Sequence, residues 1–151
     1  MNAVILAGGQ SSFCYPLAEY GPRPLVPVFN EPLLLTQLRR LRDAGCSAII
    51  IAVGESNLER IRATLPHASL SGVRFRRTPD DMSLGPGGTL ALLRPALRGD
   101  DFVVLSHSAF IETADLRDLM EVHRKRRATI TAGLLRTPGT NRPADYEQVT
   151  L

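Results

Sequence analysis

Short apolar segments alternate with amphipathic helical patterns along this chain, and this alternation limits the folds open to it. Continuous apolar runs predict strands at Asn2–Ala7, Ala48–Val53 and Phe102–Leu105, and Val73–Arg77 predicts a further short strand. Because helical patterns separate these segments, we expect the strands to run parallel in one sheet with helices on both faces. The sequence therefore predicts a three-layer α/β/α, Rossmann-like fold with a mostly parallel sheet.

Helix signals fill the stretches between the predicted strands. Pro32 suits a first helical turn, and Leu33–Leu41 gives one apolar face to a helix that ends at Ala44. Ser56 is predicted to cap the next helix. The remaining predictions are a loop over Gly8–Glu31, helices near Asn57–Leu65, Thr89–Leu97 and Asp115–Arg127, a strand over Thr129–Leu135, and a polar tail over Thr137–Leu151.

The composition is that of one globular domain over residues 1–151, and it excludes a membrane-spanning class. Hydrophobic residues are 44% and charged residues 22% of the chain. No apolar run reaches the roughly 18 residues that a membrane span needs. The start passes directly into a strand pattern without a basic segment, so we expect no signal peptide and a cytoplasmic location. Cys14 and Cys46 lack metal-ligand spacing and are expected to be free thiols.

The positive charge of the chain does not indicate a nucleic-acid partner. The net charge is +3, and Lys125 is the one lysine among the 18 basic residues. The densest basic cluster, His123–Arg127, falls at the end of a predicted helix, where cations complement the helix dipole. No aromatic residue is interleaved with this cluster. We therefore interpret it as a solvated helix end, with no visible partner for His123.

A glycine- and serine-rich segment follows the first predicted strand. Glycines let the backbone approach a ligand closely, and successive N–H groups form a concave site for anions. The segment is predicted to cradle phosphate, with a plain tight turn as the alternative. The candidate nucleotide-binding residues here are Leu6, Ala7, Gly8, Gly9, Gln10, Ser11 and Ser12.

Two further segments carry candidate binding residues. Arg23 stands between Pro22 and Pro24 and would bring a cation to the same edge. Gly85 and Pro86 lie in a second glycine-rich turn, which precedes a predicted helix and its positive N-terminal end. Because these segments follow strands, they are expected to meet at the carboxyl edge of the sheet, where α/β folds bind ligands.

The spacing of these segments resembles that of the sugar-1-phosphate nucleotidyltransferases, in particular the mannose-1-phosphate guanylyltransferase and glucose-1-phosphate thymidylyltransferase branch. The family pattern LAGGxGTRLxPLT followed by PKPLxPV is matched by the stretch LAGGQSSFCYPLAEYGPRPLVPV. The stretches EPLLLTQLRRLRDAG, LGPGGTL and DDFVVL resemble later parts of the family domain. The resemblance covers nearly the whole chain, which stops near the middle of the longer family domain, so the sheet is expected to be incomplete on that side.

The resemblance implies a reaction, its substrates and a cofactor. In the family, a sugar-1-phosphate attacks the α-phosphorus of a nucleoside triphosphate, which releases pyrophosphate and leaves a nucleotide-sugar. Mg²⁺ is the family's cofactor. Arg23 matches the family's Pro-Lys-Pro lysine and is the candidate catalytic residue, while Gly85 and Pro86 match the turn that reads the base. Assembly with a second copy or a related subunit is a further expectation.

The chain departs from the family pattern where the chemistry is concentrated. Phe13 replaces the loop arginine, Ser11 replaces a glycine, and Ser108 replaces the aspartate that binds Mg²⁺. No metal ligand is therefore predicted, because a serine hydroxyl is a weak anchor for Mg²⁺. Three functions stay open: a nucleotidyltransferase, a non-catalytic regulatory subunit that binds a nucleotide or sugar phosphate, and a scaffold that only docks.

Overall fold

The computed structural model describes residues 1–8, 21–80, 84–97, 101–106 and 115–133. Four strands of the described chain form one parallel sheet, two more form a short antiparallel hairpin, and four helices surround them. The strands are β1 (Asn2–Leu6), β2 (Pro27–Val28), β3 (Glu31–Pro32), β4 (Ala48–Gly54), β5 (Val73–Thr78) and β6 (Phe102–Ser106); the helices are α1 (Leu33–Asp43), α2 (Glu55–Thr64), α3 (Gly85–Leu93) and α4 (Leu116–Arg126).

The parallel sheet confirms the predicted fold class. Its strands lie in the order β5-β4-β1-β6, and every neighbouring pair is parallel. The central strands β1 and β4 are apolar on both faces because helices cover both sides, which explains why their sequences do not alternate. The four strand predictions agree with the observed strands to within one residue at each end.

Two apolar cores lie on opposite faces of the sheet. The larger core joins one face to α1, α2 and α4, with Leu34, Leu38 and Ile61 among its fully enclosed side chains. The smaller core joins the other face to α3 and the turn that follows it, through Leu93 and Leu97. Helices on both faces give the predicted three layers.

The predicted loop over Gly8–Glu31 is wrong for residues 23–25, 27–28 and 31, whereas Gly8, Gly21 and Pro22 lie outside helices and strands. Residues 23–25 form a 3-10 turn, and β2 and β3 pair through the two residues Phe29 and Asn30. Both have positive φ angles, 50° and 65°, which is the geometry of a tight hairpin turn. The bidentate hydrogen bond from Arg39 to Glu31 ties the hairpin to α1, and it lowers the pKa of that carboxyl group. Residues 9–20 lie outside the described chain.

Three helix starts differ from prediction. Pro32 is the residue before α1 rather than part of its first turn. Helix α2 begins at Glu55 with Gly54 before it, so Ser56 lies inside the helix and is not its cap. Helix α3 begins at Gly85 instead of near Thr89, so the predicted glycine turn forms the first helical turn. Pro86 near the start of α3 is compatible with this because first-turn N–H groups have no partner within the helix.

The strand predicted over Thr129–Leu135 is absent over residues 129–133, and residues beyond 133 lie outside the described chain. Helix α4 ends at Arg126, the next residue Arg127 has a left-handed conformation, and the chain then runs back along the helix. The hydroxyl of Thr131 lies 2.9 Å from His123 Nδ1, and Nε2 of the same ring lies 3.6 Å from Asp101. The Thr131 contact holds the segment against α4, and both contacts correct the expectation that His123 lacks a partner.

Candidate functional site

The carboxyl ends of three strands meet at Gly8. The N–H of Ala7 donates to the carbonyl of Ala52 at 2.7 Å, which carries the β1–β4 pairing one residue past the end of β1. A Cβ atom on Gly8 would lie 3.3 Å from Thr78 Oγ1 and 3.9 Å from the Gly54 nitrogen. The chain therefore passes close to the ends of β4 and β5 as it leaves the sheet. The structure places Leu6, Ala7 and Gly8 at the predicted edge.

The rest of the predicted cradle is not part of the described chain. Gly9, Gln10, Ser11 and Ser12 fall in residues 9–20, and Ser108 falls in residues 107–114. Phe13 also falls in the first of these segments. The roles predicted for these residues stay predictions from sequence.

Arg23 opens a 3-10 turn that packs on the helical layer. The N–H of Val26 donates to the Arg23 carbonyl at 3.0 Å, and the N–H of Leu25 donates to Pro22 at 2.8 Å. Pro24 is fully buried, and Leu25 packs against the larger core. The Nε atom of Arg23 is itself buried. A rigid, anchored turn therefore holds this guanidinium, which limits the conformational entropy that a bound anion would have to remove.

Asp80 caps α2 from outside the helix. Its carboxylate accepts hydrogen bonds from the Ser56 N–H at 3.1 Å and from the Ser56 hydroxyl at 3.0 Å. A Cβ atom on Gly54 would lie 2.2 Å from Asp80 Oδ1, so this contact requires glycine before α2. The carboxylate complements the positive end of the helix. The first turn of α2 is thus already occupied by an anionic side chain.

The first turn of α3 stays open. Gly85 has a φ angle of +57°, and a Cβ atom on Gly85 or Gly87 would meet none of the described residues within 4 Å. Within the helix, the Thr89 hydroxyl donates a hydrogen bond to the Gly85 carbonyl at 2.9 Å. The structure therefore leaves space beside Gly85 and Pro86, and it does not pack Gly85 against Gly8 or Arg23.

The sequence placed Gln37 on the apolar face of α1 but predicted neither a partner nor a role for it. Gln37 lies on the apolar face of the helix and is fully buried, and its Nε2 donates to the carbonyl of Ser106 at 3.1 Å. Ser106 is the last residue of β6, so this bond reaches the carboxyl edge of the sheet. One polar residue within an otherwise apolar helical stripe was the available signal in the sequence.

The described residues do not favour metal binding or thiol chemistry. Among its residues, no three His, Cys, Asp or Glu side chains are grouped so that they could hold a metal ion. Cys46 is a free, buried thiol whose pKa is raised by that burial, which disfavours the reactive thiolate. Cys14 lies outside the described residues.

An open groove of about 690 Å³ lies at the other end of the sheet from Gly8. Met1, Gly45 and Met120 line it together with basic side chains of α4. Two of these side chains already have partners: Arg117 donates to the Asp43 carbonyl, and Arg124 pairs with Asp101 at 3.4 Å. The groove is therefore separate from the predicted site.

No helix in the described ranges is both long and apolar enough to cross a bilayer.

Comparison with known proteins relates residues 2–146 to a family model described as nucleotidyl transferase. The mannose-1-phosphate guanylyltransferase of Mycobacterium tuberculosis is 31% identical over 137 residues, which are 90% of this chain and 37% of that protein. The glucose-1-phosphate thymidylyltransferase of Streptomyces griseus is 31% identical over 111 residues, which are 74% of this chain and 31% of that protein.

A solved structure gives a similar result for the fold. The crystal structure of a Bacillus anthracis protein assigned as a glucose-1-phosphate thymidylyltransferase, in complex with sucrose, matches with a TM-score of 0.71 and 25% identity. The match covers 84% of this chain and 51% of that one. The chain thus spans about a third of the length of the two curated relatives and half that of the solved structure.

Proposed function

Because this chain belongs to the family of sugar-1-phosphate nucleotidyltransferases, we propose that its carboxyl edge binds a nucleoside triphosphate and presents it to a sugar-1-phosphate. In the proposed reaction, a phosphate oxygen of the sugar-1-phosphate forms a bond to the α-phosphorus. The bond from that phosphorus to the β-phosphate oxygen breaks, and pyrophosphate leaves. Phosphoryl chemistry of this kind depends mainly on positioning and on neutralising charge.

The observation that carries the proposal is the position of Gly8 against the ends of β4 and β5. The missing side chain of Gly8 lets the backbone that follows β1 pass close to Thr78 and Gly54, and N–H groups at this edge can donate to phosphate oxygens. Arg23 supplies positive charge from an anchored turn. The open first turn of α3, beside Gly85 and Pro86, offers N–H donors to the base or its phosphates.

Mg²⁺ is the cofactor that the family resemblance implies. The described residues do not fit a protein-held Mg²⁺, because no three His, Cys, Asp or Glu side chains among them are grouped to hold an ion, and Ser108 stands where the family has its aspartate. We therefore assign no step to a bound metal. In the proposal, Arg23 and the backbone N–H groups neutralise the charge of the phosphates.

The replacements at Phe13 and Ser108 favour a second candidate function. A chain that keeps the cradle but lacks the family's loop cation and metal carboxylate would bind the nucleotide or sugar phosphate without turnover, as a regulatory subunit. Losing a transition-state cation lowers phosphoryl-transfer rates by roughly 10³–10⁵-fold. Pyrophosphate release therefore separates the two functions, whereas saturable nucleotide binding is common to both.

Substituting Gly8 by alanine tests the proposed cradle. We expect nucleotide binding to weaken about tenfold, because the added Cβ atom would lie 3.3 Å from Thr78 Oγ1 and shift the backbone N–H groups away from the phosphates, at a cost of about one hydrogen bond to a charged group. The measurement is a thermal-shift titration against GTP, dTTP, UTP, CTP and ATP, in which a ligand at 100 times its Kd adds about 2.7 kcal/mol to stability.

Gly133→Ala is the matched control for this titration, because a Cβ atom on Gly133 would make only an ordinary contact, 3.8 Å from the Leu119 side chain, and Gly133 is not a candidate binding residue. Its nucleotide affinity should equal that of the unsubstituted chain. If Gly8→Ala binds as tightly as Gly133→Ala, the cradle is not at Gly8. If the unsubstituted chain binds no nucleotide, the chain is neither a transferase nor a nucleotide-binding subunit, and the docking scaffold is favoured.

The sheet formed by the described strands has two edges that differ in charge, and we propose that its β6 edge is the contact for self-association. The β5 edge carries Arg74, Arg76 and Arg77, and charges of this kind prevent edge pairing. The β6 segment FVVLS is uncharged, and Phe102 and Val104 are 37% and 38% exposed. We expect Val104→Lys to reduce association at least tenfold in sedimentation velocity, whereas Arg74→Lys leaves it unchanged. An unsubstituted chain that stays monomeric at high concentration would exclude this contact.

A further inference from the structure

Gln37 forms a connection between distant parts of the carboxyl edge. Its side chain is 0% exposed, and with Thr78 it is one of two buried polar side chains identified in the described chain. Its Nε2 donates to the Ser106 carbonyl at 3.1 Å, across 69 positions of sequence. An amide in a core costs free energy unless it is hydrogen-bonded, so this bond determines the orientation of the side chain.

Both ends of the bond lie beside candidate binding residues. In the sheet, Ser106 is the register partner of Leu6, and the chain leaves β1 directly after Leu6 toward Gly8. On the other side, α1 begins at Leu33, whose N–H donates to the Val26 carbonyl at 3.0 Å, next to the Arg23 turn. Gln37 therefore connects the helix that supports Arg23 to the strand pair from which the glycine segment starts.

Packing alone does not explain a glutamine at this position. Leu34, Leu38 and Leu41 enclose the same face of α1, and methionine has nearly the length and volume of glutamine without its polar atoms. A methionine here would satisfy the core and leave the Ser106 carbonyl without this donor. The amide adds a directional hydrogen bond, which fixes the position of α1 relative to the end of β6.

We propose that Gln37 is a positioning residue for nucleotide binding. Its bond to Ser106 holds the ends of β1 and β6 at a fixed distance from the Arg23 turn. The backbone at Gly8 and the Arg23 guanidinium can then bind the same phosphate groups. The inference rests on the proposed function and names a residue that acts through Leu6 and Ser106, without itself touching the ligand.

The test compares Gln37→Met with Leu38→Met, a volume-conserving change at the next, fully buried position of α1. Hydrogen exchange of the free chain reports the positioning without any ligand. We expect the amides of Leu6–Gly8 and of Leu105–Ser106 to exchange about tenfold faster in Gln37→Met, the effect of losing one bond of about 1.4 kcal/mol. In Leu38→Met these amides should exchange as in the unsubstituted chain.

Nucleotide affinity is the second measurement, made well below the melting temperature of each variant with the nucleotide that the unsubstituted chain prefers. We expect about tenfold weaker binding for Gln37→Met and less than twofold for Leu38→Met. Unchanged exchange in Gln37→Met overturns the inference, as does faster exchange with unchanged affinity. An unsubstituted chain that binds no nucleotide overturns the proposed function and the binding role of Gln37, while the exchange data still decide whether Gln37 holds the end of β6.

Discussion

Replacing Arg23 by alanine is expected to weaken nucleoside triphosphate binding by about 30-fold or more. Removing one partner of a buried, hydrogen-bonded charge pair costs about 2–5 kcal/mol, and Arg23, which is half-buried with its Nε atom fully enclosed, is expected at the lower end of that range. Pro24 and Leu25 hold that turn in place, so the guanidinium is preorganised. Little of its interaction free energy with a bound phosphate is then lost to ordering the side chain. Isothermal titration calorimetry with the preferred nucleotide measures the change.

Two variants show whether the loss comes from the position or only from the charge. Arg39→Ala removes an arginine of α1 that pairs with Glu31 on the exposed side of the hairpin, and it should leave nucleotide affinity unchanged. Arg23→Lys keeps the charge and matches the lysine that the family resemblance places here, so it should recover most of the binding. Equal nucleotide affinities for Arg23→Ala and Arg39→Ala would show that Arg23 does not bind the nucleotide.

The strands were predictable because their signal is local. Ala48–Val53 and Asn2–Ala7 are continuous apolar runs, and only a strand covered on both faces combines that length with that apolarity. The helix α1 was predictable for a similar reason, since its leucines recur at helical spacing. The parallel order of the sheet follows from strands that alternate with helices.

The errors concern residues whose partners are distant in the sequence. Serine is a common helix-cap residue, but the N–H and hydroxyl of Ser56 both donate to Asp80, which is 24 positions away in the sequence. Thr131 has the β-branched side chain of a strand residue, but its hydroxyl contacts His123 on the preceding helix. A local pattern contains neither partner, so tertiary contacts determined the outcome at both places.

The candidate site is predictable to a similar degree. The place of Gly8 follows from a glycine directly after an apolar strand, because parallel strands end at one edge. The bond from Gln37 to Ser106 does not follow from the sequence, since its two residues are 69 positions apart and no local pattern pairs them. The sequence therefore predicted the edge at which Gly8 lies, and it did not predict the bond between Gln37 and Ser106.

Replacing Leu38 by alanine is expected to have the largest effect on stability, with a loss of about 2–5 kcal/mol. Leu38 is fully buried in the larger core, where α1 packs against the sheet. Truncation removes its transfer free energy and leaves a cavity that the strands cannot close without breaking their pairing. Because domains are stable by about 5–15 kcal/mol, this loss is a large fraction of the total. Urea denaturation followed by circular dichroism measures it.

Leu92→Ala is the matched control, because Leu92 lies in α3 with 55% of its surface exposed. Its free energy of unfolding should fall by no more than about 0.5 kcal/mol, the usual size of a surface substitution. The m-value should be the same in both variants, since neither changes the surface exposed on unfolding by much. Similar losses for Leu38→Ala and Leu92→Ala would show that α1 does not form the centre of the larger core, and the packing of the Arg23 turn on that core would then have to be reconsidered.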